Sequence, residues 1–518
     1  CSFEGTVTAD QYVGGICGTN GYTGGQPKIS NCYAIADITA RACAGGICGG
    51  NYATAEYCYS AGEVNADDGY VYDPVCYNEG GNATSNYCYY NSDLCGSGSP
   101  STKNAALTTQ ALCGDSLPAG FSADIWGKGS YSMAESGDKF RTVTYTYPSL
   151  NGVGEPYSAL NELQYNYGYN GSDDWQKCTR ITTYEQFAAI GNDSTSNKEL
   201  WRKNYVLGAD IDLGGKTTAP IGDSSYSFTG KFSGNGHLFK NAASPLFGSN
   251  EGLIEYVTIE SGSIGYGPIA GSISVENGSD GVIYACGNNA DVTVTTSLNM
   301  GAGGIVATNN GVISNCYNTG DVSSKAQAGG LCAVNYGTLE YSYNAGAVSG
   351  DKKTDALCIE QNDTLNTCYY NEDCGKSSFG SGLSTIAMTS KVFDGFGSLW
   401  VKKPNTVDPE SCEGAAYYPS FSTDFAPSEE FTLILNFVKP GEDTPVYGDD
   451  ITFWAFANIK YANGKLDTFE DGITTIKIGD EIVLENDDIV NGIAKYTAKT
   501  AGNTTFTLTY TNANYFAG

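Results

Sequence analysis

A motif that returns every 26 residues, stretched to about 30 in some copies, constrains this chain more than any other feature. Cys316, Ser342 and Cys368 are 26 residues apart, and so are Val306, Cys332 and Cys358. The first series sits in Asn315-Cys316-Tyr317, Tyr341-Ser342-Tyr343 and Thr367-Cys368-Tyr369, and it recurs upstream as Asn31-Cys32-Tyr33, Tyr57-Cys58-Tyr59 and Tyr87-Cys88-Tyr89. The second series follows a glycine pair, as in Gly14-Gly15-Ile16-Cys17, Gly45-Gly46-Ile47-Cys48, Gly303-Gly304-Ile305-Val306 and Gly329-Gly330-Leu331-Cys332. Worn copies end in Cys76 and Cys358. A unit this short cannot bury an apolar face alone, so consecutive copies must stack.

Each period holds two or three short apolar or alternating runs between Gly, Asn and Asp, as in Asp321–Ser324, Gly330–Val334 and Thr338–Tyr343. Such runs predict strands, and one period predicts one coil of a parallel β-helix. Equivalent residues then form columns at the strand spacing of roughly 4.8 Å. One cysteine column is Cys17, Cys48, Cys76, Cys332 and Cys358; the other is Cys32, Cys58, Cys88, Cys316 and Cys368. Tyr33, Tyr59, Tyr89, Tyr317, Tyr343 and Tyr369 form an aromatic column whose stacked rings add cohesion. Ile16, Ile47, Ile305, Leu331 and Leu357 form a core column. The glycine pair is expected where a Cβ would strike the coil above. One short helix is expected at Tyr184–Ile190.

The repeats fall into two arrays with the same exit signature. The first closes with Cys88-Tyr89-Tyr90-Asn91, Leu107-Thr108-Thr109, Trp126 and Tyr147-Pro148-Ser149-Leu150. The second closes with Cys368-Tyr369-Tyr370-Asn371, Leu383-Ser384-Thr385, Trp400 and Tyr418-Pro419-Ser420-Phe421. Matching exits predict matching caps over the open end of each stack. The second array also has an entrance, from Ile181-Thr182-Thr183-Tyr184 through Asp210-Ile211-Asp212-Leu213 to His237. The first array opens at the second-motif column with Cys1, so further coils are expected upstream of it. Beyond about Pro427, alternating strands without cysteine suggest an immunoglobulin-like sandwich with Trp454 as its core tryptophan. The expected fold is all-β: two parallel β-solenoid segments in tandem, 1–155 and 178–427, a linker at 156–177, and an Ig-like β-sandwich at 428–518.

These motifs resemble the GLUG-motif repeats of bacterial surface adhesins and of the non-catalytic regions of immunoglobulin-A-protease-like proteins. The carriers are Gly14–Gly18, Gly45–Gly49, Asn315–Gly320 and the stretch from Asp210 to His237. Residues 430–518 resemble a bacterial Ig-like repeat through Val446-Tyr447-Gly448-Asp449 and Asn512-Ala513-Asn514-Tyr515. The resemblance implies an exported protein that holds an adhesive surface away from the cell, with no catalytic residues to transfer.

Charge agrees with that class. Lys and Arg total 27 against 57 Asp and Glu, a net charge of −30, which argues against nucleic acid and anionic membranes as partners. No apolar run is long enough to span a bilayer as a helix. The partners expected are neighbouring copies of the same protein, or a host or cell-surface glycan or protein. An exposed tyrosine column is the alternative way to bind a glycan. The enzyme alternative is a β-helix polysaccharide-degrading enzyme using Asp210 and Asp212, which share a strand face. His237, the one histidine, sits in a turn with no nucleophile motif near it, so no catalytic residue is expected.

Eighteen cysteines in an exported protein normally imply disulfides. Here the columns accept Val306 and Ser342 in the same positions, so a bonded partner is not required, and the thiols are expected to pack as small hydrophobes. Reduced thiols fit an extracellular or surface protein of an anaerobic bacterium. Cys88 with Cys95 and Cys368 with Cys374 are the disulfide candidates. No CxxC pair exists, so no metal centre is expected. Asp449-Asp450 and Asp487-Asp488 are the candidates for structural calcium between Ig-like domains, with solvated turns as the plainer expectation.

Overall fold

The structure is a computed structural model. It describes the chain except residues 22–24, 67–71, 79–82, 96–103, 136–138, 153–159, 169–172, 196–197, 298–300, 362–363, 404–405, 408–412, 422–427, 439–449, 461–465, 470–472, 486–492, 500–504 and 511–518. Side chains are further undescribed at 386, 406–407, 413–416, 428–438, 450, 453–460, 466–469, 473–474, 485, 493–494 and 508–510. The protein is all-β, with a β-solenoid of about 12 turns. Among the described residues, α-helix is confined to α1 (Thr109–Cys113), α2 (Tyr184–Gly191) and α3 (Thr385–Ser390). The chain divides into two compact units, Cys1–Asn166 and Tyr167–Gly518.

In the second unit a coil bends more often than the sequence pattern suggests. One coil runs through five short strands: Val306–Asn309, Val312–Ser314, Tyr317–Asn318, Val322–Ser324 and Gln327–Gly329. Cys332 then lies beside Val306 and the next coil begins. These strands build five parallel sheets, here S1 to S5 in coil order. S2 and S3 each hold eight strands, S1 five, and S4 and S5 four.

Two kinds of corner make this possible. Between S2 and S3 the residue before the second-column position is left-handed, with φ of 54° at Asn315, 47° at Tyr341 and 49° at Thr367. Asn31, Tyr57 and Tyr87 of the first unit take the same conformation at 51°, 53° and 52°. Asn tolerates this region well, whereas a β-branched Thr is strained there. The second corner carries the glycine pair. A Cβ on Gly15 would lie 2.6 Å from the carbonyl oxygen of Gly46, and one on Gly304 or Gly330 would collide with the next coil's backbone. None of these glycines has a positive φ, so close approach between coils is what requires them.

Ile305, Leu331 and Leu357 are fully buried on the core axis with Ile273. The first coils of this unit are closed by α2. Thr183 and Gln186 form a capping box at its start, and Phe187 packs against Phe239 with ring centres 4.9 Å apart. The Trp201 indole donates to the Ile190 carbonyl at 2.7 Å, fixing the helix to the following turn.

In the first unit the coils are smoother. Ser2–Gly14 and Tyr33–Gly45 are long parallel partners in register from Ser2↔Tyr33 to Gly14↔Gly45. A second sheet stacks Cys17–Asn20, Cys48–Asn51 and Cys76–Asn78. Ser130–Glu135, Phe140–Thr146 and Leu160–Asn166 follow as antiparallel strands.

The C-terminal part of the second unit holds two antiparallel sheets, of six and three strands. Ile451 and Tyr496 from the first share an apolar cluster with Ile476 and Leu484 from the second. The side chains of Trp454, Asp449, Asp450, Asp487 and Asp488 lie outside the described residues.

Candidate functional site

The chemistry that the fold concentrates is hydrogen bonding between coils. Where four of the five S1 strands end, an asparagine points inward and donates to the residue at the end of the next strand. Asn250 reaches Asn277 at 2.8 Å, Asn277 reaches Asn309 at 2.8 Å, Asn309 reaches Asn335 at 2.6 Å, and Asn335 reaches Gln361 at 3.0 Å. The four asparagines are fully buried. A second ladder on S3 joins Asn288 to Asn318 at 2.7 Å and Asn318 to Asn344 at 2.8 Å. The first unit repeats the S1 device with Asn20, Asn51 and Asn78. Most of these amides also donate to a carbonyl two residues on, such as Gly311 for Asn309. A buried amide so engaged is satisfied, and one deprived of its partner is costly. The ladders were not among the expected columns. The signal was present: Asn20, Asn51, Asn309 and Asn335 each stand three residues after a first-column position, and Asn318 and Asn344 directly follow a column tyrosine.

Both cysteine columns stack in register. Cys17 pairs with Cys48 and Cys48 with Cys76; Val306 pairs with Cys332 and Cys332 with Cys358. Cys32, Cys58, Cys88, Cys316 and Cys368 occupy the left-handed corner and are buried. Cys286 sits there too, donating to the Ile254 and Tyr284 carbonyls. Burial pushes Cys76 and Cys286 well up and Cys368 up to about 12. The Cys17 and Cys48 thiols lie 3.5 Å apart, and that contact draws the half-exposed Cys17 down. The four disulfide candidates are not bridged. Cys88 and Cys95 are thiols turned to different carbonyls, those of Asn86 and Gly62. Cys368 is a thiol directed at Leu339 and Asn366, away from a bond to Cys374.

The tyrosine column stacks where its rings are held. Tyr33 and Tyr59 have centres 5.2 Å apart at 4°, and Tyr317 and Tyr343 are 5.6 Å apart at 12°. The exit segments lie along this face, not only over the stack's end as expected. Ala105–Leu107 extends the first unit's sheet beyond Tyr89–Asn91, and Ser381–Leu383 does so beyond Tyr369–Asn371. Each chain then folds back over the rings. Trp126 donates to Asn31 at 2.9 Å, and Trp400 donates to Asn315 at 2.9 Å. The Tyr59 hydroxyl donates to the Pro148 carbonyl, and that of Tyr343 to the Pro419 carbonyl, both at 2.6 Å. Asn91 donates to Thr109 and Tyr147, as Asn371 does to Thr385 and Tyr418. The two covers therefore match residue by residue. Tyr33, Tyr59, Tyr317 and Tyr343 are at most 1% exposed and Tyr369 is half-buried, so this column presents no open ring face to a glycan.

The acidic pair of the entrance is engaged by its own neighbours. Asp210 pairs with Lys240 at 3.0 Å, meets His237 Nδ1 at 3.4 Å and accepts from the Leu238 amide. Asp212 accepts from Gly214 and Asn241. Among the described residues no group of three or more His, Cys, Asp or Glu could hold a metal ion, and no helix is long and apolar enough to cross a membrane.

Nothing among curated proteins or solved structures matches the chain. At residues 9–39, which include the strand before Gly14-Gly15 and the corner at Asn31-Cys32-Tyr33, the chain is similar to the family described as the GLUG motif.

Proposed function

We propose that this chain is a non-enzymatic structural or adhesive stalk segment of a large, repetitive extracellular surface protein. The observation that carries the reading is the buried ladder from Asn250 to Gln361, which ties each coil to the next through side chains as well as backbone. A catalytic β-helix needs polar groups free on one face; here amides and tyrosines are spent on cohesion. The GLUG match and the solenoid both suit a repetitive surface protein. In this plan residues 1–155 and 178–427 are two solenoid segments and 428–518 an Ig-like sandwich that spaces or joins them to further domains. Neighbouring copies, or a host or cell-surface glycan or protein, are the partners such a stalk would meet, and the producing cell would be an anaerobic bacterium.

Antibodies raised against the chain should label intact, unpermeabilised producing cells or their medium. Labelling only after permeabilisation would overturn the extracellular reading. Turnover of an acidic polysaccharide, lost in Asp210→Asn, would overturn the non-enzymatic one.

A further inference from the structure

The second unit has a cleft that the stalk reading leaves unused. It lies beside the entrance turn, has a volume of about 270 Å³, and is lined by Lys198, Arg202, Tyr226, Ser227, Thr229 and Glu251 among others. We propose that it binds a carboxylate-bearing sugar residue of a glycan.

The charge is the first argument. In a chain of net charge −30, two cations against one carboxylate, Glu251, line one small cleft and leave it net positive. No carboxylate pairs with the Arg202 guanidinium among the described residues. Its planar donor fork is free to take a carboxylate on two parallel hydrogen bonds. Lys198 is held in place, its ammonium 2.5 Å from the Asp193 carbonyl and 4.8 Å from the centre of the Trp201 ring. Two further N–H donors remain on that ammonium.

The other lining groups select a sugar over a bare anion. Tyr226 is 43% exposed, unlike the covered column tyrosines, and offers a ring for the C–H face of a pyranose. Thr229 adds an exposed hydroxyl, and the Ser227 hydroxyl, paired with that of Ser249 at 2.9 Å, lies beside it. Glu251, whose carboxylate accepts from the Asp280 amide at 2.8 Å and lies against Gly278, is the one acid in the lining and disfavours a ligand carrying more than one carboxylate. The volume lies just under the usual range of ligand pockets and suits a single ring.

Saturation-transfer NMR on the full chain tests this with methyl β-glucuronide, methyl α-N-acetylneuraminide and, as the neutral control, methyl β-glucoside. At least one acidic sugar should bind, with the glucoside about tenfold weaker. Arg202→Gln should cost about tenfold, and Tyr226→Ala should remove the transfer to the sugar's C–H protons while Tyr336→Ala, elsewhere on the surface, changes nothing. Both substituted side chains are exposed, and an unchanged melting curve verifies folding. Binding of neither acidic sugar, equal binding of the glucoside, full binding by Arg202→Gln, or preference for hexaglutamate over the sugars would each overturn the proposal.

Discussion

Asn309 donates to Asn335, to the Gly311 carbonyl and to the Thr338 carbonyl, and accepts from Asn277. Truncating it leaves the buried Asn335 side-chain oxygen without its Asn309 donor and takes one acceptor from Asn277, so Asn309→Ala should cost about 2–3 kcal/mol in urea denaturation. Gln361→Ala, at the ladder's end, should cost under about 1 kcal/mol. The cysteines behave differently. Val306 and Val257 occupy the two columns without a thiol, so Cys368→Val should change stability by less than about 1 kcal/mol at pH 7. Burial raises the folded Cys368 thiol to about 12. The unfolded chain therefore loses that proton first, and the thiol's contribution is whole below about pH 8.5 and lost as pH climbs toward the folded value. Denaturation midpoints should fall between pH 8 and 11, and fall less in Cys368→Val. The cysteine columns were legible because cysteine is rare enough to notice at a fixed spacing. The asparagines were hidden because Asn in a Gly-rich stretch also signals a turn, and only burial separates the two roles.

At the scale of elements, the covers decide what the tyrosine face can do. Trp400 contacts Tyr317 and Tyr343 and holds Asn315 at the corner of an earlier coil. Trp400→Phe keeps the ring and loses the indole donor, so it should cost about 1–2 kcal/mol; Trp400→Ala should cost about 3–5 kcal/mol. Hydrogen exchange at Tyr317–Asn318 and Tyr343–Asn344 should accelerate in Trp400→Ala, whereas a cover that only plugged the stack's end would leave those amides protected. The exit order Cys-Tyr-Tyr-Asn, Thr, Trp, Tyr-Pro-Ser was readable twice in the sequence, which established that the covers are equivalent. Their direction was not readable. It depends on which face of the coil the segment meets after α1 or α3, a contact some 85 residues apart between Trp400 and Asn315. The number of strands per coil was underestimated for a related reason: corners at Asn315, Tyr341 and Thr367 use φ near 50°, and neither Tyr nor Thr announces a left-handed bend.

For the second unit as a whole, the period of 26 residues foretold stacked coils, and the register now gives a count. Arg180 lies beside Val206, then Ser233, Glu255, Tyr284, Ser314, Glu340 and Asn366, one step per coil. Arg180 and Asn366 are both exposed. Ketone-bearing residues at these positions accept spin labels without touching the eighteen cysteines. Pulsed electron-electron distance measurement should then give one narrow distribution near roughly 34 Å for the 180–366 pair, and roughly 29 Å for a pair between 180 and the partly exposed Glu340, because seven and six coil steps each rise by about 4.8 Å. Distances that fail to grow with the number of coils, or a broad distribution for either pair, would contradict the stacked solenoid on which the stalk reading depends.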